Sequence, residues 1–212
     1  MKSLCKILLA LLPFACGCDE PAGYDYGDYL VEFVTFEGER DGMPCFTFQS
    51  RDDSPEQTLL SESGLDKEIM EGQRCLLQYT VLSDLPDRAK LIRVDYVSPI
   101  ISDVARQASS SAIETLPDTP IDVVSLWRSG NFINLSGWVP YTGSRFGLFF
   151  VVDESTLDAN TVVARIVYDV MGAIPTFERR VYASFDIRNV WSRQSCHTLR
   201  VVVGNGTYEF SK

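Results

Sequence analysis

The stretch RRVYASFDIR, residues 179–188, alternates almost without a break. Val181, Ala183, Phe185 and Ile187 fall on one side, and Arg180, Tyr182, Ser184, Asp186 and Arg188 on the other. Successive side chains of an extended chain point to opposite faces, so this period of two predicts a strand with one buried face. The same rhythm surrounds it. IDVVSLWR (121–128), FINLSGWV (132–139), RFGLFFVV (145–152) and TVVARIVYDV (161–170) come before, and CHTLRVVV (196–203) and TYEF (207–210) after. Turn residues such as Ser129-Gly130-Asn131 and Gly204-Asn205-Gly206 separate them. Seven short strands over residues 121–212 predict a seven-stranded, immunoglobulin-like β-sandwich.

Residues 29–98 hold a second set: LVEFVTF (30–36), CFTFQS (45–50), TLLS (58–61), QRCLLQYTVLS (73–83) and KLIRVDYV (90–97). Cys75, Leu77, Tyr79 and Val81 share one face against Arg74, Gln78 and Thr80; Ile92, Val94 and Tyr96 oppose Arg93 and Asp95. GLDKEIMEG (64–72) is the one plausible helical turn in this half. Three strands, a small helical insert and two more strands suit a five-stranded OB-like barrel. Residues 99–120 break the rhythm with Pro99, Pro117, Pro120 and a serine cluster, and read as an inter-domain connection with at most one helical turn near Ile101–Gln107. No long helical period occurs, so the fold class is all-β.

The first residues read as an address. Lys2 and Lys6 precede an apolar run, Ile7–Ala15, broken only by Pro13 and ending in small residues, which predicts a signal peptide over residues 1–17. The run is too short to span a bilayer. The following cysteine matches the pattern of a bacterial lipoprotein, with Cys18 the expected lipidated residue and Cys16 the alternative. An acyl chain there would make the membrane a partner without a spanning helix. Residues 18–28, polar and rich in Gly and Asp, read as a tether. These features predict an outer-membrane lipoprotein, periplasmic or surface-facing; Asp19 and Glu20 are a short form of a surface-display patch.

Removing the signal takes away Lys2 and Lys6 and no acid, so 19 basic residues fall to 17 against 29 acids, a net charge of −12. Nucleic-acid affinity comes largely from neutralised phosphates, so no nucleic-acid partner is expected.

Catalytic chemistry is sparse. His197 is the sole histidine, and its parity places it with Leu199, Val201 and Val203. It cannot pair with Cys196 as a nucleophile, because neighbours in a strand point apart. Nucleophile-elbow, zinc-protease, phosphate-loop and dinucleotide motifs are absent, so no catalytic residues, metal or cofactor are expected. Cys45, Cys75 and Cys196 read as free, mostly buried thiols; the parities of Cys45 and Cys75 oppose a bridge between them. The acid clusters Asp52-Asp53 and Asp153-Glu154 with Asp158 fall in turns, where Asp is favoured. Trp191 has two readings. It either packs in a core or interface, or it lies exposed beside Arg188 and Arg193, where the three would stack a sugar or anchor a protein.

With those residues laid out, the chain resembles the NigD-like family of secreted bacterial lipoproteins. The resemblance runs through the lipoprotein start, LVEFVTF, EGQRCLLQYTVLSD before a strand ending in VSPI, PIDVVSLWRSGNFINLSGWV and VYASFDIR. It implies an N-terminal OB-like domain joined to a C-terminal β-sandwich at the envelope, and it carries no activity. The leading expectation is therefore a non-catalytic envelope lipoprotein binding a protein or glycan partner. A structural subunit of a larger complex is the alternative. A small glycan hydrolase is the third reading, and it requires carboxylates such as Asp153 and Asp186 to converge in one pocket.

Overall fold

The computed structural model describes residues 28–212. The signal peptide, tether residues 18–27 and both candidate lipidation cysteines, Cys18 and Cys16, lie outside the described residues. Five strands, β1 (Leu30–Arg40), β2 (Met43–Phe48), β3 (Gln57–Ser61), β4 (Arg74–Asp84) and β5 (Ala89–Pro99), close into a barrel in the order β1-β2-β3-β5-β4. The β3–β5 pair is parallel and the others antiparallel. Asp41-Gly42 makes the two-residue β1–β2 turn with both φ positive, the combination that Asp-Gly supplies and that follows the natural twist of a hairpin. Val34, Phe46, Leu59, Cys75, Leu77 and Ile92 fill the interior.

Two local expectations fail here for identifiable reasons. Residues 64–72 form bends and a turn, not a helix. Leu65 and Ile69, whose i, i+4 spacing imitates a helix, instead pack onto the barrel core. Tyr96 is 48% exposed while Val97 is buried. The register of β4 on β5 slips between Gln78 and Tyr79, where a β-bulge adds one residue and reverses the alternation beyond it.

The rest of the chain builds two sheets. Its strands are β6 (Ile101–Val104), β7 (Arg106–Ala108), β8 (Asp122–Ser129), β9 (Phe132–Tyr141), β10 (Gly147–Asp153), β11 (Thr161–Asp169), β12 (Phe177–Asp186), β13 (Thr198–Val203) and β14 (Gly206–Ser211). One sheet runs β14-β13-β11-β10-β7 and the other β6-β12-β9-β8. Their facing sides share one core, in which Phe150 of β10 meets Phe185 of β12 at 5.5 Å between ring centroids. The seven-stranded immunoglobulin-like count is thus corrected to nine strands. Three of their pairs, β6–β12, β7–β10 and β11–β13, are parallel, which departs from an all-antiparallel sandwich.

The two extra strands come from residues 99–120, expected as a connection. β6 joins the four-stranded sheet, and β7 joins the five-stranded one. Between them Ala105, 4% exposed, donates its N–H to the Asp186 carbonyl at 2.8 Å. Strands of four and three residues are too short to show a period, and the serines that follow enter the five-residue helix α1 (Ser110–Glu114), capped by Ser109.

Cys45, Cys75 and Cys196 are free and buried, at 1% exposure or less. Burial pushes all three thiols up, Cys75 to about 11, so little thiolate forms at neutral pH. Alkylation with iodoacetamide at pH 7.5, mapped by mass spectrometry, should leave these three unmodified in the native chain and label all three after urea unfolding. Labelling of Cys45 or Cys196 without denaturant would contradict the packing described.

Candidate binding cleft

The barrel sits on the outer face of the four-stranded sheet. From β1, Phe33 faces away from the barrel interior and packs between Trp127 of β8 and Tyr182 of β12, at 4.9 and 5.9 Å between ring centroids. A second contact comes from the β2–β3 loop. Asp52 N–H donates to the Arg128 carbonyl (2.8 Å), and Gly130 N–H donates to the Asp52 carbonyl (2.6 Å). Gly130 has φ +53°, a left-handed conformation that glycine adopts without strain, and a Cβ there would push the Gln49 amide aside.

Between these contacts opens a cleft of about 620 Å³, within the usual range for small-molecule sites. Thr35 and Thr47 line it from the outside of the barrel, and Ser184, Asp186, Phe132 and Ser102 from the sheet. Arg74, the first residue of β4, also lines it and is 4% exposed. Its Nε donates to Ser184 Oγ (3.0 Å), Nη1 to Thr35 Oγ1 (3.1 Å) and Nη2 to Asn134 Oδ1 (3.2 Å). The guanidinium lies over the Phe132 ring at 4.2 Å. Ser184 Oγ donates to Asn134 Oδ1 (2.8 Å), and Asn134 Nδ2 to Ser129 Oγ (2.8 Å), so every partner in the network is neutral. Burial pulls Arg74 down to about 10, which still leaves it charged at neutral pH.

The rim carries charge of both signs. Glu37 accepts from Thr47 Oγ1 at 2.7 Å, and Glu56 is exposed. Asp186 pairs with Arg188 at 3.3 Å and Asp103 with Arg106 at 2.6 Å. On the other side of the Phe33 contact, Glu32 and Trp127 line a more open recess of about 380 Å³. Burial pushes the Glu32 carboxyl up. An acid whose folded pKa exceeds its unfolded value favours the folded chain below the unfolded pKa, and that contribution is lost as pH rises through the folded value. Glu32→Gln should therefore raise Tm modestly at pH 7, with the gain shrinking to nothing toward acid pH in calorimetric scans; a constant or inverted difference would reject it.

The structure separates the three residues singled out as a binding surface. Arg188 is exposed and lines the cleft. Trp191 is only 7% exposed and belongs to the core between the sheets, so its packing reading holds and its exposed one is corrected. The chain turns into a short helix, α2 (Arg188–Trp191), which drives Val190 and Trp191 inward. The Trp191 ring lies beneath the Arg128 guanidinium at 4.7 Å and the Lys212 ammonium at 5.2 Å. Arg193 is half-buried, pairs with Asp158 at 3.1 Å and is not part of the cleft. Nor do Asp153 and Asp186 converge. Asp186 lines the cleft, whereas Asp153 accepts from Ser110 and Ser155 at the end of β10. His197 lies exposed just before β13, outside the apolar face expected for it.

No family model matches the chain, and no curated protein matches it significantly. Solved structures do. A NigD-like immunity protein from Bacteroides caccae superposes with a TM-score of 0.59 at 19% identity, covering 89% of this chain and 95% of that one. The chain shares the fold of a NigD-like protein. A protein of unknown function from Bacteroides vulgatus gives a TM-score of 0.71 at 14% identity, over 87% of this chain and 90% of the other. A candidate lipoprotein from Bacteroides fragilis gives 0.63 at 11% identity, over 86% and 97%. The NigD-like resemblance drawn from the sequence is therefore shown as a fold, spanning barrel and sheets together.

Proposed function

We propose that this chain is a non-catalytic binding module of a Gram-negative cell envelope, lipid-anchored at the outer membrane through Cys18, with the cleft between barrel and four-stranded sheet receiving a glycan. The observation that carries this reading is the cleft itself, walled by hydroxyl, amide and charged side chains around a buried, fully oriented arginine. Few convergent polar groups on a rigid frame are what orient a small polar ligand. The NigD-like fold and the candidate-lipoprotein relative are consistent with the envelope placement. Metabolic labelling with a palmitate analogue tests the anchor: label should disappear in Cys18→Ala, and loss in Cys16→Ala alone would move the site to Cys16.

A protein partner is the second reading, as ligand or as the rest of a larger complex. It is favoured by Met171, Ile174 and Phe177, which stand 57, 84 and 55% exposed around the β11–β12 turn. Crosslinking in intact envelopes followed by pull-down, with Cys18→Ala as control, separates the two. One specific protein lost on Met171, Ile174 and Phe177 substitution supports the complex; binding of glycans to the purified chain supports the cleft.

A further inference from the structure

Two arginines of the described residues are almost fully buried, and they are treated differently. Arg128, 1% exposed, is met by Asp53 at 2.8 Å. Arg74, 4% exposed, makes three hydrogen bonds to neutral acceptors and has no carboxylate partner among the described residues. A buried cation without a counter-ion is unfavourable, and it persists only where the fold holds it for another reason. Its position is over-determined by the three acceptors and the Phe132 ring.

A guanidinium has five N–H groups. Nε gives its one to Ser184, while Nη1 and Nη2 each give one and keep one. One N–H on each terminal nitrogen is thus left without a partner among the described residues, and guanidinium N–H groups are what a planar carboxylate engages. Arg188, exposed and paired with Asp186 at 3.3 Å, adds a second cation on the same cleft wall. The rim acids Glu37 and Glu56, in no ion pair among the described residues, limit the charge that can enter, which favours a single carboxylate over a dianionic phosphate.

The rest of the lining selects the body that carries this group. Thr47, Ser102, Gln49 and Asn131 offer hydroxyls and amides, and Glu37 and Glu56 accept from hydroxyl donors. Phe132 and Val104 are the large apolar side chains of the lining, outnumbered by its hydroxyl, amide and charged groups. We infer that the cleft binds an oligosaccharide bearing a carboxylate, uronate or sialate in type, whose carboxylate meets Arg74 and Arg188 and whose hydroxyls meet Thr47, Gln49 and the rim acids. This rests on the reading of the cleft as a glycan site and names the class of glycan.

The test is an array of uronate- and sialate-bearing oligosaccharides, each beside its carboxyl-reduced neutral form, probed with the full chain in detergent and followed by calorimetric titration of the best binder. Binding of acidic members at least tenfold tighter than their reduced forms is expected. Arg188→Ala, at an exposed position that does not threaten folding, should weaken it severalfold. Arg74→Gln should weaken it more than tenfold, with circular dichroism confirming the fold. Glu56→Gln should tighten the acidic members relative to their reduced forms, because a like charge is removed while the amide oxygen still accepts from a ligand hydroxyl. Equal binding of acidic and reduced forms overturns the carboxylate inference and leaves the glycan site standing. Acidic selectivity unchanged in all three variants overturns the placement in this cleft. A blank array overturns the glycan reading itself.

Discussion

Arg128→Ala should lower the unfolding free energy by about 3–4 kcal/mol, the scale on which removing one member of a buried ion pair or opening a core cavity acts. Arg128 is the last residue but one of β8 and reaches across the joint to the β2–β3 loop. It holds Asp53 through two bonds, at 2.9 and 2.8 Å, and donates to the Gly130 carbonyl at 2.8 Å, while its flat face covers Trp191. Truncation to alanine removes that cover and empties the space beside the indole. Asp53 itself loses little, because its side chain is 73% exposed and water replaces the guanidinium. The loss is therefore mainly packing, and Arg128→Met, which refills the volume without a charge, should cost about half as much. Asp53→Ala should fall between them, since Asp52, 3.9 Å from Nη2, can move in as a substitute. The hydrogen bond from Arg128 holds the Asp53 carboxyl below its usual range. That part of the stability is present above the unfolded carboxyl pKa and is lost as pH falls through the folded one, so Arg128→Ala should also flatten the acid limb of the stability profile. Urea titrations of the three variants across pH check the ranking; equal losses for alanine and methionine would mean that charge, not volume, holds the joint.

The contrast between the two faces of RRVYASFDIR explains what a sequence of this kind reveals. Val181, Ala183, Phe185 and Ile187 are all buried, as their spacing predicts, because a solvent-averse face has one place to go. The opposite face carries Tyr182 and Ser184, and alternation marks it only as polar; that a barrel covers it is not encoded in its own period. The strand that does the covering gives the better hint. In LVEFVTF, Val34 and Phe36 line the barrel interior while Phe33 on the other face is also buried, so both sides are apolar. A strand with two apolar faces in a sheet otherwise polar outside signals a second layer. Arg74 gives no such sign, because an arginine alternating with Cys75, Leu77 and Tyr79 looks like any solvated partner of a core face. Its role emerges only when Ser184 and Asn134, 110 and 60 residues away, come within hydrogen-bond range. The exposed reading of Trp191 rests on a loop after β12; the chain instead makes one turn of helix, α2, which carries Val190 and Trp191 inward.

Phe33→Ala should be the other large effect, and a different one in kind. Phe33 belongs to neither interior; it is 7% exposed because Trp127 and Tyr182 enclose it, the latter edge-on at 86°. Truncating a buried phenylalanine costs about 3–5 kcal/mol, to which the two aromatic contacts contribute. Neither the barrel core nor the core between the sheets loses an atom, so the loss falls on their coupling. The wild-type chain should melt in one calorimetric transition and Phe33→Ala in two, the lower belonging to the smaller barrel, with Phe33→Leu restoring most of the single transition. The cleft should feel the change as well, because Thr35, two residues on and on the same face, is an acceptor of Arg74. Glycan affinity should drop severalfold in Phe33→Ala even at temperatures where both halves are folded. A single unshifted transition would mean that the Arg128–Asp53 contact alone couples the two bodies. Split melting with unchanged affinity would mean that Arg74 is positioned from the sheet side, by Ser184 and Asn134, without help from the barrel.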